Sequence, residues 1–275
     1  MFASKLISLL MVIPSLCLSQ YVSHEEDKLA IFEIVQPDLR VGTGFALKDD
    51  SLGQVLITCK HIIQDSNGNY YDKIFVRRNR LLKTKQVISD TAGFYLFLKG
   101  INNNNNETKR FFYPHPDSNI DLVIIPFYYV GQSLNKYKPI IYFEQDMVLD
   151  KNELDSLGIN EGSDVEIIGF SLTSAMFMDK IHYHISRFGK IALYTTEIFP
   201  LMIDNMLKSA NYMLLDISIR PGDSGSPILA HIGDDRYIIG MVIGLSPDIE
   251  YGIGYPSHYI VDLLRSAREG LKRGE

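Results

Sequence analysis

Arg220-Pro221-Gly222-Asp223-Ser224-Gly225-Ser226-Pro227 is the stretch on which the reading of this 275-residue chain turns. A serine stands between two glycines, just after an apolar run at residues 212–219. Glycine takes positive φ without steric cost, so Gly222 and Gly225 let the backbone bend sharply. Pro221 fixes the entry to that bend and Pro227 the exit. Such a turn aims the Ser224 hydroxyl outward and can bring the amides of Gly222, Asp223 and Ser224 toward one point. Converging amides beside a nucleophile are what a developing oxyanion requires. The plain alternative is a surface turn, because Gly, Pro and Ser collect in turns for local reasons. The rest of the chain has to decide.

Outward from this stretch the pattern is β on both sides. Short runs rich in β-branched and aromatic residues occupy 29–35, 41–47, 55–58, 73–78, 86–89 and 94–98. A second series follows at 163–170, 184–194, 211–219, 226–231 and 237–245. Turn clusters such as Asp49-Asp50-Ser51 and Asp65-Ser66-Asn67-Gly68-Asn69 separate them. That spacing is the signature of antiparallel β structure, not of βαβ units. Between residues 129 and 153 the pattern loosens, and the crossing between two lobes is placed there. After Pro256, apolar residues fall at Ile260, Val261, Leu263, Leu264 and Ala267, with Arg265, Arg268 and Lys272 late. With Ser257 as cap, this predicts one terminal helix. The expectation is an all-β domain over residues 26–270. It has lobes at about 29–130 and 150–255 and a C-terminal α-helix at about 257–270.

Hydrophobic residues make up 46% of the chain, enough for a buried core. A net charge of -6 argues against a general nucleic-acid binder, which shows a basic surface. Residues 1–19 read as an export signal. Lys5 is the only charge before Glu25, residues 6–18 are apolar, and Cys17 and Ser19 precede a cut before Gln20. The apolar stretch is too short to span a bilayer well. A buried N-terminal element is the alternative. The reading is an exported protein, periplasmic or secreted, with no stable membrane span once the signal is removed. Cys59 is then its one remaining cysteine, so no internal disulfide can form. Asn106-Glu107-Thr108 matches the glycan acceptor pattern, beside an asparagine run at 102–106.

A serine hydroxyl needs a base in hydrogen-bond reach, and the base needs an orienting carboxylate. Among seven histidines, His61 stands out because it ends an apolar run where a strand would surface. Asp121 opens the apolar run Leu122-Val123-Ile124-Ile125, a place where aspartate is disfavoured. Each has a bland alternative, a strand-end histidine and a strand-entry turn residue. His182-Tyr183-His184 puts two imidazoles on one strand face, but no third metal ligand is identifiable. Asp234-Asp235 reads as a hairpin turn, and Arg77-Arg78-Asn79-Arg80 as a solvated loop. Cys59 reads as a small buried filler.

Taken together, these motifs resemble the chymotrypsin-like serine proteases, in that family's order. Thr58-Cys59-Lys60-His61 is similar to the Thr-Ala-Ala-His box, Asp121-Leu122-Val123 to Asp-Leu-Ala, and Gly222-Asp223-Ser224-Gly225-Ser226-Pro227 to the nucleophile box. Gly42-Thr43-Gly44-Phe45 stands where the family carries Gly-Ser-Gly-Phe. The segment 216–225 resembles the Deg-type (high-temperature-requirement) branch, as do 165–170, 187–191, 239–242 and 256–260. The resemblance covers residues 30–265, and too few residues follow Ser224 for a PDZ domain as well as the helix. It implies two antiparallel six-stranded β-barrels and a serine endopeptidase acting on protein or peptide substrates without a cofactor. Ser224 would be the nucleophile, His61 the base, and Asp121 the residue that orients it. The amides of Gly222, Asp223 and Ser224 would form the oxyanion hole, with the Asp223 side chain serving loop geometry. Ser218 would lie at the base of the P1 pocket, and Met241, Val242, Ile243 and Gly244 would form its far wall. With no acid at that base, a small or apolar P1 residue is expected. A serine esterase and a pseudoprotease that only binds a partner are the competing readings.

Overall fold

The computed structural model describes residues 27–81, 87–88, 93–101, 108–127, 142–171, 183–203, 206–246 and 250–273. The expected signal at 1–19, the asparagine run with its glycan pattern and His182 lie outside the described residues.

The first lobe contains β1 (Ile31–Val35), β2 (Val41–Asp49), β3 (Gly53–Cys59), β4 (Lys73–Arg78), β5 (Arg80–Leu81), β6 (Val87–Ile88), β7 (Gly93–Phe97), β8 (Lys99–Ile101), β9 (Thr108–Arg110), β10 (Tyr113–Pro114) and β11 (Leu122–Pro126). β12 (Phe143–Glu144) and the short helix α1 (Lys151–Ser156) follow. The second lobe contains β13 (Asp164–Gly169), β14 (Ile185–Tyr194), β15 (Phe199–Ile203), β16 (Met206–Ala210), β17 (Met213–Asp216), β18 (Pro227–Ile232), β19 (Asp235–Ser246) and β20 (Tyr251–Pro256), then helix α2 (His258–Arg273).

The second lobe closes into a six-stranded antiparallel barrel in the order β13-β14-β17-β20-β19-β18. The first is an eight-stranded sheet that curls in the order β10-β11-β3-β2-β1-β4-β7, with β12 added in parallel to β2. Its two end strands are not paired to each other. Among the described residues, the chain between β4 and β10 forms β7 and two side hairpins, β5–β6 and β8–β9. β2 and β11 are buried nearly throughout, since both faces of their sheet are covered. β7, on the open edge, alternates: Phe94 and Leu96 are buried while Tyr95 and Phe97 are exposed.

One apolar core runs from Ala30 to Ala267 and includes residues of both lobes and of α2. A second fills the closed barrel around Ile167, Leu215, Ile228 and Val242. Helix α2 buries Ile260, Leu263, Leu264 and Ala267, one face at helical spacing. Each large side chain buried there contributes about 1.5–3 kcal/mol. The helix leaves the second lobe yet packs on β10 and β11 of the first, tying the two together.

Two local expectations are corrected. Arg77 and Arg78 belong to β4, not to a solvated loop, and Arg77 pairs with Glu33, which faces it across the β1–β4 ladder. A glutamate that is 1% exposed inside a sheet needs a counter-charge, and Arg77 supplies it. The hydroxyl of Ser257 donates to Leu149 O at 2.5 Å instead of capping α2, while its carbonyl accepts from the amides of Ile260 and Val261.

Candidate active site

The Ser224 turn is shaped from below by contacts that tolerate no side chain. Gly222 and Gly225 have φ of 98° and 90°. A Cβ on Gly225 would sit 1.8 Å from Thr43 O, so this position admits only glycine. The Asp223 amide donates to Arg220 O at 3.0 Å, and the Ser226 amide to Asp223 O at 2.9 Å. Of the three amides grouped in sequence, that of Asp223 is thus used inside the turn. The amides of Gly222 and Ser224 have no protein acceptor among the described residues.

The Asp223 carboxylate is fully buried and held from two directions. Arg187 Nη1 donates to Oδ1 and Oδ2, each at 2.9 Å, and the Arg220 amide donates to Oδ2 at 2.7 Å. Arg187 Nη2 continues to Ser171 Oγ at 2.8 Å. Burial raises the Asp223 pKa above the ordinary carboxylate value, and Arg187 opposes that rise. The pair clamps the residue between the two unengaged amides.

His61 lies in the 3-10 turn Lys60–Ile63 that ends β3, and Asp121 immediately precedes β11. The antiparallel register pairs Leu122 with Cys59, which sets Asp121 opposite Lys60; the Lys60 amide donates to Asp121 O at 3.2 Å. His61 approaches the same carboxylate twice, its amide 3.0 Å from Oδ1 and its Nδ1 2.6 Å from Oδ2. An ionised carboxylate only accepts, so the proton is assigned to Nδ1, leaving Nε2 as the basic nitrogen. Lys208 Nζ donates to Oδ2 at 3.2 Å, and the Asp121 amide donates to Tyr255 Oη at 3.4 Å. Asp121 is 2% exposed. Burial alone would raise its pKa, but His61 and Lys208 outweigh burial and hold it far below the usual carboxylate range.

The two halves meet through β2 and β19. Thr43 donates its amide to Ser224 O at 2.8 Å and its hydroxyl to Gly222 O at 2.7 Å, and its Oγ1 accepts the Phe170 amide at 2.8 Å. Thr58 Oγ1 donates to Thr43 O at 2.7 Å. Val242 O accepts both the Gly225 amide at 2.8 Å and Cys59 Sγ at 3.5 Å, so the turn and the segment leading to His61 touch one carbonyl. Ser224 Oγ donates to the next carbonyl, Ile243 O, at 3.2 Å. Met241, Val242 and Ile243 are fully buried, Gly244 is half-buried and Ser218 is exposed. Cys59, His61 and Asp121 present ligand-type atoms within 4.8 Å of one another. The thiol is fully buried, however, and Nδ1 is committed to Asp121, so this is a hydrogen-bonded cluster.

Sequence reasoning passed over Lys208 and Tyr255 as site residues, and quoted Arg187 only within a motif. Each reaches the site from far along the chain with no local oddity to mark it. Thr43 was quoted only for its motif.

No protein-family model matches the chain, and no curated protein matches it. Solved structures do. A Glu endopeptidase aligns with a TM-score of 0.56 at 13% identity, covering 90% of this chain and 95% of that one. The active form of the Rv3671c protease from M. tuberculosis aligns at 0.52 and 14%, covering 87% and 81%. The HtrA-type protease AlgW with a decapeptide aligns at 0.51 and 14%, covering 89% and 66%. A closed barrel, a second curled sheet, a seam between them and a C-terminal helix give this chain the two-lobed fold of the chymotrypsin-like serine proteases.

Proposed function

We propose that the protein is a serine endopeptidase working through Ser224, His61 and Asp121. One observation carries the reading: a buried carboxylate holds His61 Nδ1 at 2.6 Å, across a seam from a serine turn with two unengaged amides. Ser224 Oγ turns from Ile243 O toward His61 and attacks an acyl carbon. His61 takes the proton and later returns it to the leaving amine. Asp121 keeps the tautomer fixed and stabilises the imidazolium. The Gly222 and Ser224 amides receive the oxyanion. The resemblance to solved proteases supports a peptide substrate.

The P1 side chain is read as small or apolar. Ser218 offers no charge, and Ile219 closes against β20, its Cγ1 2.4 Å from where a Cβ on Gly252 would stand. Peptides ending in Ala or Val before the scissile bond should be turned over faster than those ending in Lys or Arg. The reverse order in a peptide library refutes that reading. The chain is further read as exported, after cleavage before Gln20. Among the described residues no helix is long and apolar enough to cross a membrane.

The test is labelling with a fluorophosphonate beside peptide turnover. The wild-type chain should be labelled and should cleave peptides; Ser224→Ala should lose the label and about 10⁴-fold or more in kcat. An unlabelled wild-type chain makes the protein an inert binding scaffold. Turnover of esters but not peptides makes it an esterase.

A further inference from the structure

Lys208 stands outside every motif of the sequence, yet its Nζ lies 3.2 Å from Asp121 Oδ2, the oxygen that accepts His61 Nδ1. It is carried by the β15–β16 hairpin, inserted between barrel strands β14 and β17. Its side chain is 12% exposed. Several contacts fix the hairpin. Tyr212 Oη donates to Lys208 O at 2.8 Å, and the Tyr212 ring stacks on Tyr255 at 5.7 Å. The Asn211 amide donates to Tyr259 Oη on α2 at 3.0 Å. The ammonium is therefore delivered by a framework built on the same tyrosine that accepts the Asp121 amide.

Other groups also face the pair. Lys60, on the 3-10 turn, directs Nζ at Asp117 O and Ser118 O, at 3.4 and 3.5 Å. Burial lowers the Lys60 pKa, with Asp121 and Asp117 opposing and Lys208 adding to the fall. Cys59 approaches from β3, Tyr255 from β20, and Tyr70 feels the Asp121 charge. A single buried carboxylate thus faces two lysines as well as the imidazole. Lys208 is the second donor on Oδ2 and the third on the carboxylate, so it helps to hold the carboxylate plane. A positive charge beside it makes protonation of His61 more costly, because the imidazolium shares its counter-ion.

We propose that Lys208 is a positioning residue for the His61–Asp121 pair, fixing the carboxylate and extending toward acid the pH range in which His61 is a neutral base. The proposal rests on His61 acting as the base, but its first test needs no substrate. The His61 imidazole is titrated by ¹⁵N NMR in the full chain carrying Ser224→Ala, with Lys208 intact, with Lys208→Met and with Lys208→Arg. The Met variant should titrate about one pH unit higher, and Arg should restore the original midpoint. An unchanged midpoint, or one that falls, overturns the proposal. If Lys208→Met fails to fold, Lys208→Gln, which keeps a donor and drops the charge, decides the matter on the same readout. The second arm is the pH profile of kcat/KM with Ser224 present. Its acid limb should rise by the same amount in the Met variant. A uniform loss at every pH with the limb unmoved marks Lys208 as merely structural and overturns the proposal. A chain that cleaves no peptide but shows the NMR shift refutes the protease reading and leaves the Lys208 coupling standing.

Discussion

Asp121 and Asp223 are both buried carboxylates of the candidate site, and their surroundings drive them in opposite directions. Asp121 meets His61 and Lys208 on one oxygen and is held ionised far into acid. Asp223 meets Arg187 but is raised by burial, the larger influence there. Carboxylates split in this way serve different tasks, one supporting a base and the other locking a loop. For Asp223 the raised folded pKa means the fold favours its neutral form. Its contribution to stability is greatest below the unfolded value and declines as pH rises through the folded one. Arg187→Met removes the largest of the influences that keep the charged form tolerable, leaving only those of Arg220. It should cost about 3–5 kcal/mol at pH 8, as breaking a buried pair does, and clearly less at pH 5. Denaturant melts at the two pH values check this, and an equal loss at both refutes it. Ser224, His61 and Asp121 were picked out as candidates by the joint order of their motifs, with a local break in pattern to mark some of them. An aspartate opening an apolar strand is such a break. Arg187 and Lys208 break none, since their partners lie 36 and 87 residues away.

Helix α2 was legible from its apolar spacing, though it runs from His258 to Arg273 where 257–270 was expected. Basic side chains at its end suit the helix dipole and so blur the stop. Helix α1 was missed. Its six residues are too few to show a period, although Asp150 and Glu153 form a complete capping box. What the spacing of α2 did not show is the ion pair that ties it to the first lobe. Arg268 Nε and Nη2 reach Asp49 Oδ2 at 2.9 and 2.5 Å, while the Ser51 and Leu52 amides donate to Asp49 Oδ1. Burial would raise the Asp49 pKa, but Arg268 and these amides bring it below the ordinary value. A depressed folded pKa gives stability that is present above the unfolded value and lost as pH falls through the folded one. Arg268→Ala should therefore cost about 1–3 kcal/mol at pH 7. The gap to wild type should begin to narrow below about pH 4, near the unfolded carboxylate value, and close as pH falls through the lower folded value. Melting temperatures of both chains across that range are the check, and a gap that widens in acid contradicts the account.

At the scale of the molecule, the two-lobed β architecture follows from short apolar runs between turn signals. The open edge of the first sheet does not, because nothing in a strand's own sequence says whether its neighbour will pair. The seam is decided by Thr43. Its hydroxyl donates to Gly222 O, accepts from the Phe170 amide, and so joins β2 to the serine turn and to the end of β13. With one core running through both lobes and α2, unfolding should be a single transition. Thr43→Val keeps the shape and removes the hydroxyl, leaving a buried carbonyl and a buried amide unpaired. Each orphaned group costs about 1–3 kcal/mol. The melting temperature should fall by about 5–15 °C, given the response expected of a chain this size. Peptide turnover measured well below the melt should fall further than that stability loss explains, since Gly222 O is released beside the amide that would receive the oxyanion. Calorimetry and turnover on the same sample test both halves of the argument. A melt that splits in two, with only one lobe shifted, shows that the lobes fold apart and that this hydroxyl does not join them. Full activity in a destabilised variant shows instead that the serine turn keeps its shape without the first lobe.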